Sequence, residues 1–252
     1  MGEVTVLSIG TTHPWNVAGV GLDARVGAEL DTRVLTVVAG VSAQDARGLH
    51  ALHVVPPVDL EAQLAAIPWE LVDAVRVGAL GAAACVTLVA DALARLDVPV
   101  VVDPVIATSL GGDLTDEQAV QMISERFCAL GQAIVTPNLA EAGVLLGRPV
   151  ERASMADAAQ ALRSRGARAV LLKGGHLDGN PADVLATAQA VTVFEEPRIA
   201  GRMRGTGCVL AMSLACALAR GDELGDAVAF ARGFVREKIA HAVQFGRLST
   251  AY

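Results

Sequence analysis

The chain has 252 residues, of which 53% are hydrophobic, 19% charged and 3% aromatic, and its net charge is −7. That apolar content excludes a disordered chain, and the length fits one large α/β domain spanning residues 1–252. The negative balance argues against nucleic acid as a partner, because phosphate backbones need clustered Lys and Arg and single strands need aromatic platforms.

Short Val- and Ile-rich runs predict strands at Val4–Ile9, Val34–Val38, Ala74–Val77, Val100–Val102, Ala133–Val135 and Ala169–Leu172. Most are continuous rather than alternating, the pattern of strands buried on both faces of a parallel sheet. Helical spacing recurs between them at Ala83–Leu96, Asp116–Cys128 and Met155–Arg165. The strand–helix–strand rhythm predicts a mostly parallel sheet covered by helices on both sides. The run from Val77 to Ala90 is punctuated by glycines and falls short of the ~20 residues of a membrane helix. After Leu172 the rhythm changes: Val184–Thr187 and Val191–Phe194 read as a hairpin. A helix then follows from Cys208 to Ala219 and another near Leu224–Gln244.

No basic segment followed by an apolar core opens the chain, and the four cysteines (Cys85, Cys128, Cys208, Cys216) make no CxxC pair. Neither a signal peptide, a zinc spacing nor a secreted disulfide framework is expected, which predicts a soluble cytoplasmic protein without a membrane partner.

Polar residues gather where the strands should end. Asp103-Pro104 follows one strand, Thr136-Pro137-Asn138 the next, and Lys173-Gly174-Gly175-His176 the next. Ligands of open parallel sheets bind outside the carboxyl ends of the strands, so three such termini in succession predict one crevice. Any one of them alone also reads as an ordinary turn or helix cap. Gly205-Thr206-Gly207-Cys208 precedes a helix, whose free N–H groups and positive dipole end make an anion hole suited to a phosphoryl group. The Gly-Lys-Ser/Thr ending of a Walker A loop is missing.

Taken in order, Ala43–Gly48, Val77–Leu80, Val101–Val105, Thr136–Ala142, Val170–Leu177, Pro197–Ile199 and Gly205–Cys208 resemble the successive signatures of the hydroxymethylpyrimidine (phosphate) kinases of thiamin biosynthesis. The resemblance spans nearly the whole chain. It implies a ribokinase-like fold, a homodimer, ATP with Mg²⁺, and phosphorylation of a pyrimidine hydroxymethyl group or of the resulting monophosphate. By resemblance Gly205 and Gly207 shape the anion hole, and Cys208 stands where related sugar kinases carry an aspartate base. A helix N-terminus predicts a favoured thiolate there; the alternative is a small residue packing at a helix start. Gln44 is implied to bond the pyrimidine edge, having both donor and acceptor, or else to be a solvated loop residue. Leu80 and Val105 are further implied substrate positions. Asn138 and Glu141 are implied to hold Mg²⁺ with Asp103, or else to cap a helix. Lys173, Gly175 and Thr206 are implied along the nucleotide, although a lysine also suits the surface.

The first loop departs from this pattern. It reads Thr11-Thr12-His13-Pro14-Trp15-Asn16-Val17-Ala18-Gly19, and only Ala18-Gly19 and the later Asp23 keep it. His13 stands at an aspartate position, Asn16-Val17 at a glycine pair, and Arg204 at a histidine before the anion hole. His13 and Trp15 make either a wall for a heterocycle or the cap of a shrunken pocket. His13, Trp15 and Asn16 are expected to border the crevice of Gln44 and Cys208, with His13 and Asp23 on the substrate. The rival readings are a pyridoxal-type alcohol kinase and a pyrimidine-binding module without catalysis.

Overall fold

The structure is a computed structural model describing residues 4–108, 112–175, 177 and 179–252. Its strands are β1 (Thr5–Thr12), β2 (Arg33–Asp45), β3 (Gly48–Val54), β4 (Ala74–Val77), β5 (Val100–Val102), β6 (Ala133–Val135), β7 (Ala169–Leu172), β8 (Ala182–Ala186), β9 (Val191–Glu195), β10 (Val243–Phe245) and β11 (Leu248–Thr250). The first nine form one sheet in the order β3-β2-β1-β4-β5-β6-β7-β8-β9. Strands β2, β1, β4, β5, β6 and β7 run parallel, whereas β3, β8 and β9 join antiparallel. All six predicted parallel strands and the predicted hairpin β8–β9 are present.

Side chains alternate between the two faces, as strand geometry requires. Leu7, Ile9, Val75 and Val77 face a core shared with α2 (Pro57–Ala65), α3 (Ala83–Leu93), α4 (Glu117–Met122), α5 (Leu139–Leu146) and α6 (Met155–Arg163). Val6, Ala74, Val101 and Ile134 face a second core with α1 (Gly19–Glu29), α7 (Thr206–Ala219) and α8 (Leu224–Ala240). Every residue of α7 from Val209 to Leu218 is buried. A helix apolar on all sides belongs in the interior, and this one packs between α1, α8 and the central strands. Its N-terminus is thereby held at the carboxyl edge of the sheet.

Besides α2 and α5, to which the sequence reading gives no range, four features depart from it. Strand β2 runs on to Asp45 and turns into β3, because the polar Gln44–Gly48 stretch reads as a loop although it forms an exposed hairpin. Helix α1 contains Gly19, Gly21 and Gly27, which mask its period. The helix predicted over Asp116–Cys128 starts on the Asp116 cap, but widens to a π-helical turn over Ile123–Phe127. Finally α8 ends at Ala240, and the residues beyond it pair as β10 and β11. Among the described residues no helix is long and apolar enough to cross a membrane.

Candidate active site

The carboxyl ends of the parallel strands carry Asp103 after β5, Asn138 after β6 and Lys173 after β7, in register across the edge. Lys173 Nζ lies 2.6 Å from Asp103 Oδ1, and Arg76 Nη2 lies 3.2 Å from Asp103 Oδ2. Arg76 Nη1 in turn lies 3.0 Å from Asp23 Oδ2, to which Ser8 Oγ donates at 2.6 Å. One aspartate thus balances two cations and one guanidinium balances two carboxylates.

Arg76 is a residue that sequence reasoning missed. It is fully buried in the middle of the four-residue strand β4, and that lone charge within an apolar run was the available signal. Burial works against its charge, yet Asp23, Cys208 and Asp103 hold its pKa above the ordinary value. Room for the guanidinium comes from Gly78, where a Cβ would fall 2.3 Å from Arg76 Nη1.

Above this charge pair sits the predicted anion hole. Gly205 takes the left-handed conformation (φ 78°) at the N-cap of α7. A Cβ there would lie 2.3 Å from Val17 O, so the turn needs glycine twice over, for conformation and for space. The first intrahelical bond runs from Val209 N to Gly205 O, and the preceding amides open the helix with its positive dipole end. A Cβ on Gly207 would stand 3.3 Å from Lys173 Nζ and 3.5 Å from Asp103 Oδ2, which places the lysine–aspartate pair against the helix end. Burial lowers the affinity of Lys173 for its proton, but Asp103 and Glu141 outweigh it and hold the ammonium charged. Thr206 is the first residue of α7, half-buried.

Cys208 faces inward, with Arg76 and the Gly19 backbone directed at its sulfur. The expectation of a favoured thiolate is corrected. Burial pushes the thiol up, Asp23 and Asp103 add to it, and Arg76 with the Gly19 N–H does not compensate. Cys85, Cys128 and Cys216 are buried in the core, as expected.

Asn138 and Glu141 form a reciprocal capping box on α5. Asn138 N donates to Glu141 Oε2 at 2.7 Å, and Glu141 N donates to Asn138 Oδ1 at 2.9 Å. The capping alternative is therefore realised. It leaves one carboxylate oxygen of Glu141 over, and burial raises that group to about 7, with Asp103 adding to the effect and Lys173 opposing it. Among the described residues no group of three or more His, Cys, Asp or Glu side chains can hold a metal unaided.

On the substrate side, Gln44 lies on β2 at a register shift, not in a solvated loop. Its Nε2 donates to Ser42 Oγ at 2.9 Å, and its Oε1 accepts from Arg204 Nη2 at 3.3 Å. His13 is 5% exposed; the Ala18 backbone lies close, but neither ring nitrogen has a partner in hydrogen-bonding geometry. Burial and then the Arg204 charge lower its pKa to about 4, so the ring is neutral. Trp15 meets Phe245 of β10 edge to face, centroids 5.5 Å apart. Asn16 packs its side chain on Gly21 of α1.

Of three further expected substrate positions, two are enclosed and one is half-buried. Asp23 is wholly enclosed by Ser8 and Arg76, so it reaches the site only through Arg76. Leu80 is 1% exposed and its side chain belongs to the core. Val105 is half-buried, its carbonyl engaged by Thr115 Oγ1 at 2.9 Å. Near the nucleotide positions Gly175 is exposed, its carbonyl accepting from Arg198 Nη1 at 3.2 Å. His176 lies outside the described residues. Two surface grooves of about 680 and 540 Å³ include neither Cys208 nor Lys173 nor Arg204.

A buried helix that offers its N-terminus beside a paired lysine, at the carboxyl edge of a sheet in this strand order, makes the protein a phosphotransferase of the ribokinase-like class. The chain belongs to the phosphomethylpyrimidine kinase family, which it matches over residues 14–251. It is 36% identical over 96% of its length to the thiamine biosynthesis bifunctional protein of Geobacter sulfurreducens, of which it covers 50%. It is 34% identical to the hydroxymethylpyrimidine/phosphomethylpyrimidine kinase of Rhizobium meliloti, over 94% of this chain and 90% of that one. The pyridoxal kinase of Staphylococcus aureus, solved with AMP-PCP and pyridoxal, superposes with a TM-score of 0.87 at 25% identity, over 98% of this chain and 92% of that one.

Proposed function

We propose that this chain transfers the γ-phosphoryl group of ATP to the hydroxymethyl group of 4-amino-5-hydroxymethyl-2-methylpyrimidine, to its monophosphate, or to both, in thiamin biosynthesis. One observation carries the reading: the left-handed Gly205 opens α7 against the Lys173–Asp103 pair. Phosphoryl transfer depends on positioning and on charge stabilisation more than on covalent chemistry. The α7 amides and the Lys173 ammonium provide two positive groups at one point, and Asp103 fixes the lysine.

Cys208, Gly205 and Gly207 are assigned to catalysis, with Cys208 taking the proton of the attacking hydroxyl where the free alcohol is the acceptor; the monophosphate attacks through an ionised phosphate oxygen and needs no such base. Arg76 stabilises the thiolate that this role requires. Gln44 reads the aminopyrimidine edge, and His13 lines the same side. Lys173, Gly175 and Thr206 contact the nucleotide.

Mg²⁺ is assigned to Asp103, Asn138 and Glu141. Both Asp103 oxygens are committed to cations and one Glu141 oxygen to its cap, so the free donors are few. So small a set fits an ion that arrives on nucleotide phosphates and keeps its waters. The ion supplies neutralisation of phosphate charge when bound. One domain over residues 1–252, a homodimer and a cytoplasmic location belong to the same reading; sedimentation equilibrium tests the dimer.

A coupled ADP-release assay over a panel of heterocyclic alcohols tests the activity. ADP release with the hydroxymethylpyrimidine or its monophosphate is the expected result. The likeness to the S. aureus pyridoxal kinase supports a second reading, in which pyridoxal is the better substrate. Release with no member of the panel removes the kinase assignment and leaves a binding module.

A further inference from the structure

Helix α8 reaches the end of β7 through a single carboxylate. Arg232 of α8 is 7% exposed, and its guanidinium meets the β8–β9 hairpin. Its Nε donates to Asp183 Oδ2 at 2.8 Å, its Nη1 to Glu196 Oε1 at 2.7 Å and its Nη2 to Phe194 O at 3.3 Å. The Phe194 ring lies under the same guanidinium, its centroid 5.3 Å from Cζ. Arg236, one turn further along α8, lies 2.7 Å from the other Glu196 oxygen. The second oxygen of Asp183 makes a contact that an ion pair does not need. Oδ1 accepts from the backbone N–H of Gly174 at 2.9 Å.

That amide sits where the sheet has run out. The β7–β8 ladder ends at Leu172 and Val184, and Asp183 is the next residue outward on β8. On the β6 side, Lys173 N donates to Pro137 O at 2.8 Å. On the β8 side, the Asp183 side chain takes the place of the ladder. Lys173 is thus clamped between the carbonyl before Asn138 and a carboxylate on the amide that follows it. Gly174 fits without room to spare, since a Cβ would lie 2.1 Å from Ala182 O. A lysine side chain is long and flexible, so its ammonium is placed only as well as its two ends are held. Asp103 holds the Nζ end at 2.6 Å, and the clamp holds the backbone end.

We propose that Asp183, braced by Arg232, is a positioning residue for the nucleotide, setting the Lys173–Gly175 backbone and thereby the place of the Lys173 ammonium. The inference rests on the proposed assignment of Lys173 and Gly175 to ATP. Arg232 orients the carboxylate so that its other oxygen meets the Gly174 amide, and a bond to an ionised acceptor is stronger than a neutral one. Asp183 and Arg232 act only through that backbone. Gln44, on the acceptor side, stands on β2, separated from β7 by β1, β4, β5 and β6. Losing the clamp should therefore weaken nucleotide binding and spare acceptor binding.

Calorimetry on the intact protein with Mg²⁺, using AMP-PCP and the hydroxymethylpyrimidine as separate probes, reads the two sides apart. Asp183→Ala should weaken AMP-PCP about tenfold and leave the pyrimidine at its parent affinity. Asp183→Asn keeps an oxygen for the Gly174 amide and should lose less. Glu196 still pairs with Arg232 in both variants, so the fold should survive, and a thermal melt of each reports it. If the alanine variant unfolds, the asparagine variant decides: a loss confined to AMP-PCP supports the clamp, and parent affinity overturns it. Arg236→Met breaks a neighbouring ion pair of α8 without touching Asp183 and should leave AMP-PCP affinity unchanged. Parent affinity for AMP-PCP in Asp183→Ala, an equal loss for both probes, or the same loss in Arg236→Met overturns the inference. A parent protein that binds the pyrimidine but not AMP-PCP removes the nucleotide reading itself, and the inference with it.

Discussion

Lys173 Nζ lies 2.6 Å from Asp103 Oδ1, joining the ends of β7 and β5 across β6. The two residues are 70 apart in the chain, and the parallel register of three strands brings them together. Asp103 also receives Arg76, so its charge is shared between a cation that faces the helix end and one sealed in the sheet.

Arg76→Met leaves Asp23 and Asp103 buried without their common partner. Breaking one side of a buried ion pair costs about 3–5 kcal/mol. Urea unfolding of the variant should show that loss, and a change below about 1 kcal/mol would mean that water already satisfies the two carboxylates.

Glu141 gives a pH dependence whose sign is fixed. Its folded pKa is about 7, raised from an ordinary 4.5, so the folded chain holds the proton more tightly than the unfolded one. Its contribution to stability is complete below 4.5 and is lost as pH rises towards 7, with a slope of at most about 1.4 kcal/mol per pH unit. Glu141→Gln should flatten the stability profile over that window in denaturant titrations run at each pH. An unchanged slope in the variant would assign the titration to another group.

Cys208 predicts the shape of a rate profile. Burial holds the thiol above its ordinary 9.0, so a thiolate base gains population only at high pH. Turnover of the free alcohol should still be rising at pH 9, and Cys208→Ala should lower it by roughly 10²–10⁴-fold while removing the rise. Wild-type turnover in the alanine variant would take Cys208 out of the chemistry. Residual activity in Cys208→Asp would support a base at that position.

Gly205→Ala tests the anion hole through the fold. The left-handed conformation costs a residue with a Cβ about 1–2 kcal/mol, and Val17 O stands 2.3 Å from where that Cβ would be. The melting temperature should drop by roughly 2–4 °C for each kcal/mol lost. A variant as stable as the parent would show that the loop before α1 yields easily.

Much of this was legible in the chain. Continuous apolar runs such as Val100–Val102 and Ala133–Val135 dictate buried parallel strands, because a strand covered on both faces tolerates no alternation. The polar residues that end those strands mark the functional edge, and Gly205–Cys208 marks the helix that faces it. Local signals failed where the deciding partner is remote. Nothing near Asp23 tells that it is sealed against Ser8 and Arg76, or near Cys208 that two carboxylates oppose its thiolate. Residue type and period are properties of a short stretch, so the sequence by itself determined the sheet, the helix end and the glycine turn. Burial and charge balance depend on remote neighbours, as with Arg204 and Gln44, 160 residues apart. Only the tertiary structure decided which of the polar groups at the edge are already satisfied and which are still open to a ligand.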